Sequence, residues 1–189
     1  APRAWSASSN RQRFRVLRTY AEGALGCVSV ARDEEFQRDV AIKEIKPQFA
    51  QDPASRSRFA LEAEVTQALD HPGIKKLHLL GQYNGRTFIA MEYSEGESVL
   101  NLISREGKIT YDRALSIALK VTAAHSYAAE RGLVHGDVRP SNILVLKSGE
   151  VKVSNLGIAG KTVENILAIT KAGQNAPFYI APEQVTGDR

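Results

Sequence analysis

The stretch "HGDVRPSN", His135 to Asn142, decides how this chain is read. It sets a histidine, an aspartate two residues later and an asparagine five residues beyond that, with the apolar pair Ile143-Leu144 following at once. A carboxylate so placed can take the proton of a hydroxyl, and an amide oxygen can hold a hard cation. Standing alone, the same residue types serve equally well in a solvated surface loop. The choice between the two rests on what lies to either side.

Downstream, "SNILVLKSGEVKVSNLG" reads as two short strands around Ser148-Gly149, and "YIAPE", Tyr179 to Glu183, closes an otherwise loop-like end. Immediately upstream, "TYDRALSIALKVTAAHSYAAERG" reads as a long helix with Ala114, Ile117, Ala118, Val121 and Ala124 on one apolar stripe, which calls for a partner surface. "SEGESVLNLISREG" before it is a short helix. Earlier still, "IKKLHLLGQYNGRTFIAMEY" reads as two strands joined at Asn84-Gly85, a favoured hairpin dipeptide. "DPASRSRFALEAEVTQALDHPG" opens on Asp52-Pro53, carries Phe59, Ala63, Thr66 and Leu69 at helical spacing and stops at His71-Pro72-Gly73. "DVAIKEI" is a strand closed by Pro47, and "RFRVLRTYAEGALGCVSVAR" is a hairpin with a glycine-bearing turn. The order predicts an α+β chain: five strands with one inserted helix over residues 13–93, then a mainly helical part over 94–189.

Composition narrows the function less than the motifs do. Lys plus Arg number 25 against 21 Asp plus Glu, a net charge of +4 with no long cationic run, so neither nucleic acid nor a membrane surface is singled out. The one cysteine, Cys27, excludes an internal disulfide and fits a reducing, cytoplasmic setting. No run of about 18 apolar residues is present to span a membrane. Residues 1–12 lack the apolar core of a signal peptide and are expected to be a flexible lead-in, and the absence of an initial Met is expected of a piece of a longer protein.

Taken in order, these segments resemble the eukaryotic-type Ser/Thr protein kinases, of the bacterial kind, from about Arg13 to Arg189. The resemblance implies a two-lobed kinase-like fold whose second lobe is incomplete after Ala-Pro-Glu. It also implies ATP as cofactor. In "AEGALGCV", Gly23, Gly26 and Val28 match the loop that covers the phosphates, where the lack of a side chain lets backbone approach closely, while Ala21 stands at the first glycine position. In "VAIK", Ala41 and Lys43 face one way on a strand, and Glu62 on the helix is the implied partner of Lys43 across the α- and β-phosphates. Met91, Glu92 and Tyr93 match the hinge that holds the adenine edge, with Leu144 implied as a further nucleotide contact. Asp137 is the implied catalytic base, Arg139 its charged neighbour, and Asn142 and Asn155 the implied, weak, metal ligands.

The departures are as informative as the matches. Gly136 replaces the arginine that reads a phosphorylated activation segment. Arg139 replaces a lysine, and a planar guanidinium does not reproduce a compact point charge. Ala176, three residues before Tyr179, lacks the hydroxyl expected there. Asn155 replaces the metal-holding aspartate, and magnesium prefers carboxylates and phosphates to a neutral amide. As a local feature, Asn155 before Leu-Gly would also suit a turn. Three functions follow. The first is a pseudokinase that holds ATP with magnesium weak or absent, and works as a scaffold or regulator. It would bind a protein partner, or a second copy of itself, through the segment 157–179 or an uncovered face of the Tyr111–Arg131 helix, and Thr162 and Thr170 in that segment would be open to phosphorylation. The second is an active Ser/Thr kinase with Asp137 as base. The third is an interaction module that binds no nucleotide.

Overall fold

The computed structural model describes residues 13–22, 26–46, 52–83, 86–156 and 176–183. The chain divides into two compact units. The first holds residues up to Ala68 together with Lys76–Ser94, and the second holds Leu69–Lys75 and everything from Glu95 onward.

The first unit is a five-stranded antiparallel sheet in the order β1-β2-β3-β5-β4. Its strands are β1 (Phe14–Glu22), β2 (Gly26–Asp33), β3 (Arg38–Ile45), β4 (Leu77–Tyr83) and β5 (Arg86–Glu92). The alternation along β3 explains its central place. Val40 and Ile42 turn to one face, where they bury with Ala31, Leu79, Phe88 and Ala90. Ile45 turns to the other, where it packs with Ile89, Leu77 and the helix residues Phe59 and Ala63. That first helix, Pro53–Gln67, starts one residue after Asp52, where proline's missing N–H is no loss. At the far end of the sheet, Arg13 and Asp33 form a buried two-point ion pair, Nε to Oδ1 and Nη2 to Oδ2, both at 2.9 Å. Asn84-Gly85, the expected hairpin dipeptide, lies outside the described residues.

The second unit opens with β6 (Gly96–Ser98), which pairs with β7 (Ile143–Leu146), and β7 pairs with β8 (Val151–Val153). A short helix, Val99–Glu106, begins where the Ser98 hydroxyl accepts the Asn101 N–H at 3.1 Å and ends at Gly107, whose φ of 76° needs no β-carbon. The long helix runs Tyr111–Ala129. Its stripe corrects the expectation: Ile117, Val121, Ala124 and Ala128 are buried, whereas Ala118 is exposed. That stripe is covered, contrary to the expected bare face, because Val99, Leu102, Val145, Val151, Val153 and Leu156 pack with it in one core. The exposed apolar row is the next one round, Tyr111, Leu115 and Leu119. Leu69 and Ile74 join this core too, which is why the strip Leu69–Lys75 leaves the first unit. Ile74 bridges to Val153, and the Lys152 ammonium donates to the Pro72 carbonyl at 3.0 Å.

Candidate functional site

In the first unit the implied nucleotide residues share one sheet face. Val28 lies opposite Lys43, Lys43 opposite Ile89, and Ala41 opposite Val30 and Met91, so the four predicted residues Val28, Ala41, Lys43 and Met91 point the same way. Ala41 is fully buried, and Met91 packs against the cluster built on Ile45 and Phe59. The Lys43 ammonium lies 5.7 Å from the Phe59 ring centroid, a cation–π distance. Glu62 sits on the same helix three residues after Phe59, with its side chain outside the described set. Gly23 is also outside it. Gly26 is not replaceable by a larger residue, because a β-carbon there would overlap the Glu44 carbonyl oxygen of the neighbouring strand.

The hinge residues are tied down individually. The Glu92 backbone N–H donates to the Lys76 carbonyl at 2.8 Å, and its carboxylate accepts from the Lys76 N–H and the Ser94 hydroxyl. The Tyr93 hydroxyl accepts from the Arg18 guanidinium at 2.8 Å, and the Tyr93 ring meets Tyr20 edge-on at 6.2 Å. Burial, and then the neighbouring Tyr93, push the Tyr20 phenol above its ordinary range, with Arg18 opposing. Arg18 and Tyr20 were not singled out from the sequence. The cue was an arginine and a tyrosine two apart just before the glycine-bearing turn.

In the second unit, the loop His135–Asn142 is built around Asn142. A one-turn 3₁₀ helix, Pro140–Asn142, turns this side chain inward, where it is buried. Its amide nitrogen lies 2.8 Å from the Asp137 carbonyl oxygen and 2.9 Å from Asp137 Oδ2. Both are pure acceptors, so that end of the amide must be the NH₂. Asn142 Oδ1 therefore faces the other way, and it accepts from the Asn155 side-chain NH₂ at 2.9 Å. The Asn142 main-chain oxygen accepts from the Ser154 N–H and hydroxyl, so loop and strand end are knitted together. Asn155 holds the left-handed conformation, φ 62°, which asparagine tolerates. Leu144, on β7, is buried opposite Ser98 and Lys152.

The Asp137 carboxylate is engaged at both oxygens. Oδ2 takes the Asn142 bond, and Oδ1 has the Arg139 Nε at 3.3 Å, an ion pair lacking hydrogen-bond geometry. Gly136, at the arginine position of the family pattern, has φ 70°. His135 is buried. It accepts the Asp137 N–H at Nδ1 and reaches the Ser154 carbonyl with Nε2. Burial, then the adjacent His125, hold its pKa below the ordinary imidazole range. His125 is a second site neighbour the motifs did not flag. It occupies the i+4 place after the buried Val121, where an imidazole among alanines was the available signal.

The two implied metal ligands, Asn142 and Asn155, are bonded to each other. A cation held here would need lone pairs of the residue-142 and residue-155 oxygens, and one lone pair of the Asn142 oxygen accepts the Asn155 N–H. Among the described residues, no group of three His, Cys, Asp or Glu side chains could hold a metal ion. In the first unit, Val28, Ala41 and Lys43 set apolar side chains and a cation on one sheet face. No helix among the described residues is long and apolar enough to cross a membrane.

A family model described as protein kinase domain matches residues 14–189. The Ser/Thr protein kinase PknA of Mycobacterium tuberculosis is 38% identical over 182 residues, covering 93% of this chain and 42% of PknA. Ser/Thr protein kinase PrkC of Bacillus subtilis is 33% identical over 175 residues, covering 93% of this chain and 27% of PrkC. Among solved structures, the PknI kinase domain of Mycobacterium tuberculosis is similar with a TM-score of 0.73 at 29% identity, covering 94% of this chain and 65% of that one. The chain therefore spans less than half the length of these curated relatives. With the five-stranded antiparallel sheet, its inserted helix and the His135–Asn142 loop in place, the chain belongs to the protein kinase family, in its bacterial Ser/Thr kinase type.

Proposed function

We propose that this chain is a pseudokinase: it holds a nucleotide on the Lys43 face of the first unit, transfers phosphate poorly or not at all, and acts by engaging a protein partner in the cytoplasm. One observation carries the reading, the hydrogen bond from the Asn155 amide to Asn142 Oδ1. It gives the loop internally the crosslink that a cation gives when two oxygens face one another. Phosphoryl transfer depends on positioning and charge neutralisation, and losing one such electrostatic partner elsewhere lowers rates by about 10² to 10³. Arg139 beside Asp137 Oδ1 adds to the loss, since Asn142 already bonds Oδ2 and both oxygens of the implied base are then engaged. The partner surface in this reading is the segment 157–179 or the exposed row Tyr111, Leu115 and Leu119, and self-association through the same row is the variant of it.

The rival reading, an active Ser/Thr kinase, draws on the Asn142 bond to Asp137 Oδ2, which still orients the implied base. Thermal-shift titration with ATP, in magnesium and in chelator, on this chain and on Asn155→Asp, separates them. Ligand at about 100 times its Kd stabilises a folded protein by about 2.7 kcal/mol, so occupancy is read directly. The expected result is an equal shift with and without metal for the parent and a metal-dependent increment for Asn155→Asp. A strong magnesium requirement in the parent, with transfer of radiolabel to a protein substrate, would establish the active kinase. No shift in either protein would leave the interaction module.

A further inference from the structure

The His125 ring meets His135 edge to face, with centroids 5.3 Å apart and planes at 86°. His125 Nε2 is buried without a hydrogen-bond partner among the described residues, a cost for a neutral imidazole and a larger one for a charged imidazole. His135 has both nitrogens committed. Nε2 lies 3.1 Å from the Ser154 carbonyl oxygen, which can only accept, so Nε2 carries the proton. Nδ1 is then the bare nitrogen, and it accepts the Asp137 backbone N–H at 3.2 Å. A second proton has one place to go. Added from solvent at Nδ1, it sets N–H against N–H, and the bond that fixes the backbone at Asp137 is lost.

We propose that His125 is a positioning residue that keeps His135 neutral, and that the two imidazoles together form a proton-operated release for the Asp137 loop. The inference stands apart from nucleotide binding, since every contact in it lies within the second unit. The groups that face the pair can be named. From the long helix comes His125 itself, whose charge opposes a charge on His135. From the loop come the His135 main-chain carbonyl and Asp137, which both favour that charge, Asp137 being shared with Arg139 and Asn142. From the end of β8 comes the Ser154 carbonyl, while the Lys152 ammonium is directed away to Pro72. Burial acts on both rings and lowers both pKa values, and it is the larger influence on His135.

The test is a pH titration of the full chain with ¹⁵N-labelled histidine, reading ring tautomers by long-range ¹H–¹⁵N correlation and the Asp137 amide alongside. At neutral pH His135 should be the Nε2–H tautomer. On acidification its ring and the Asp137 amide should move in one shared transition, below the ordinary imidazole range. His125→Phe keeps a ring against His135 and removes the second charge, so the His135 midpoint should shift upward. An Nδ1–H tautomer at neutral pH, an Asp137 amide that stays still while His135 protonates, or an unchanged midpoint in His125→Phe would each overturn the proposal. Should His125→Phe fail to fold, His125→Gln removes the same charge, and the His135 midpoint is read in it instead.

Discussion

Gly136 shows how one residue can hold two properties at once. Its φ of 70° lies in the region where a β-carbon costs about 1–2 kcal/mol, so the glycine at the arginine position of the family pattern also relieves the loop backbone. Gly136→Arg should therefore lower the unfolding free energy by about that much, seen in chemical denaturation as a lower midpoint with the slope unchanged. Asp33 is the second residue with a large stake. Burial pushes its carboxyl up, but the hydrogen bonds and charge of Arg13 more than offset this and leave it below the ordinary range. Asp33→Asn removes the two-point pair but leaves the Arg13 guanidinium with Glu35 at 2.7 Å, and the expected loss is about 1.5–3 kcal/mol by equilibrium unfolding. The sequence located Asp137, Asn142 and Asn155 by spacing alone. It could not say that two amides would be turned donor to acceptor, because that depends on which acceptors surround Asn142 in space. His125 was hidden for the same reason: its partner lies ten residues away, past the end of a helix.

Among the elements, strands and helices were legible wherever a period ran for several residues. The three-residue β6 was not, because Gly96–Ser98 is too short to alternate and read as the lead-in to a helix. The long helix gave a stripe displaced at its edges, since Tyr111, Leu115 and Leu119 make a second apolar row and periodicity cannot choose between two. Two substitutions measure the difference. Leu102→Ala, in the fully buried core of the second unit, should cost about 2–5 kcal/mol. Leu119→Ala, on the exposed row, should stay within about 0.5 kcal/mol. Gly96 supports β6 by close approach, since a β-carbon there would overlap the Val145 carbonyl and crowd Leu146. Because these neighbours are backbone, Gly96→Val should cost about 1–3 kcal/mol, visible as a lower Tm.

For the molecule as a whole, three histidines set the acid limit. His78, His125 and His135 all have pKa values lowered mainly by burial. Below about pH 6.5 an unfolded imidazole binds a proton that the folded one still refuses, so the unfolded state gains and stability falls as pH drops. Denaturation midpoints measured between pH 8 and 5 should be level at first and then decline, and His125→Phe should flatten the decline. The division into two units also settles how the chain can be cut. It passes from one unit to the other three times, at Ala68, at Lys75 and at Ser94, so no single scission separates two self-sufficient halves. A break after Ser94 would leave the first piece carrying Leu69 and Ile74, which belong to a core built by the second, together with the Gly73 carbonyl that accepts the Val153 N–H. Produced separately, the two pieces should each be incomplete and should reassemble on mixing, which makes this junction a natural place to build a split reporter from the fold.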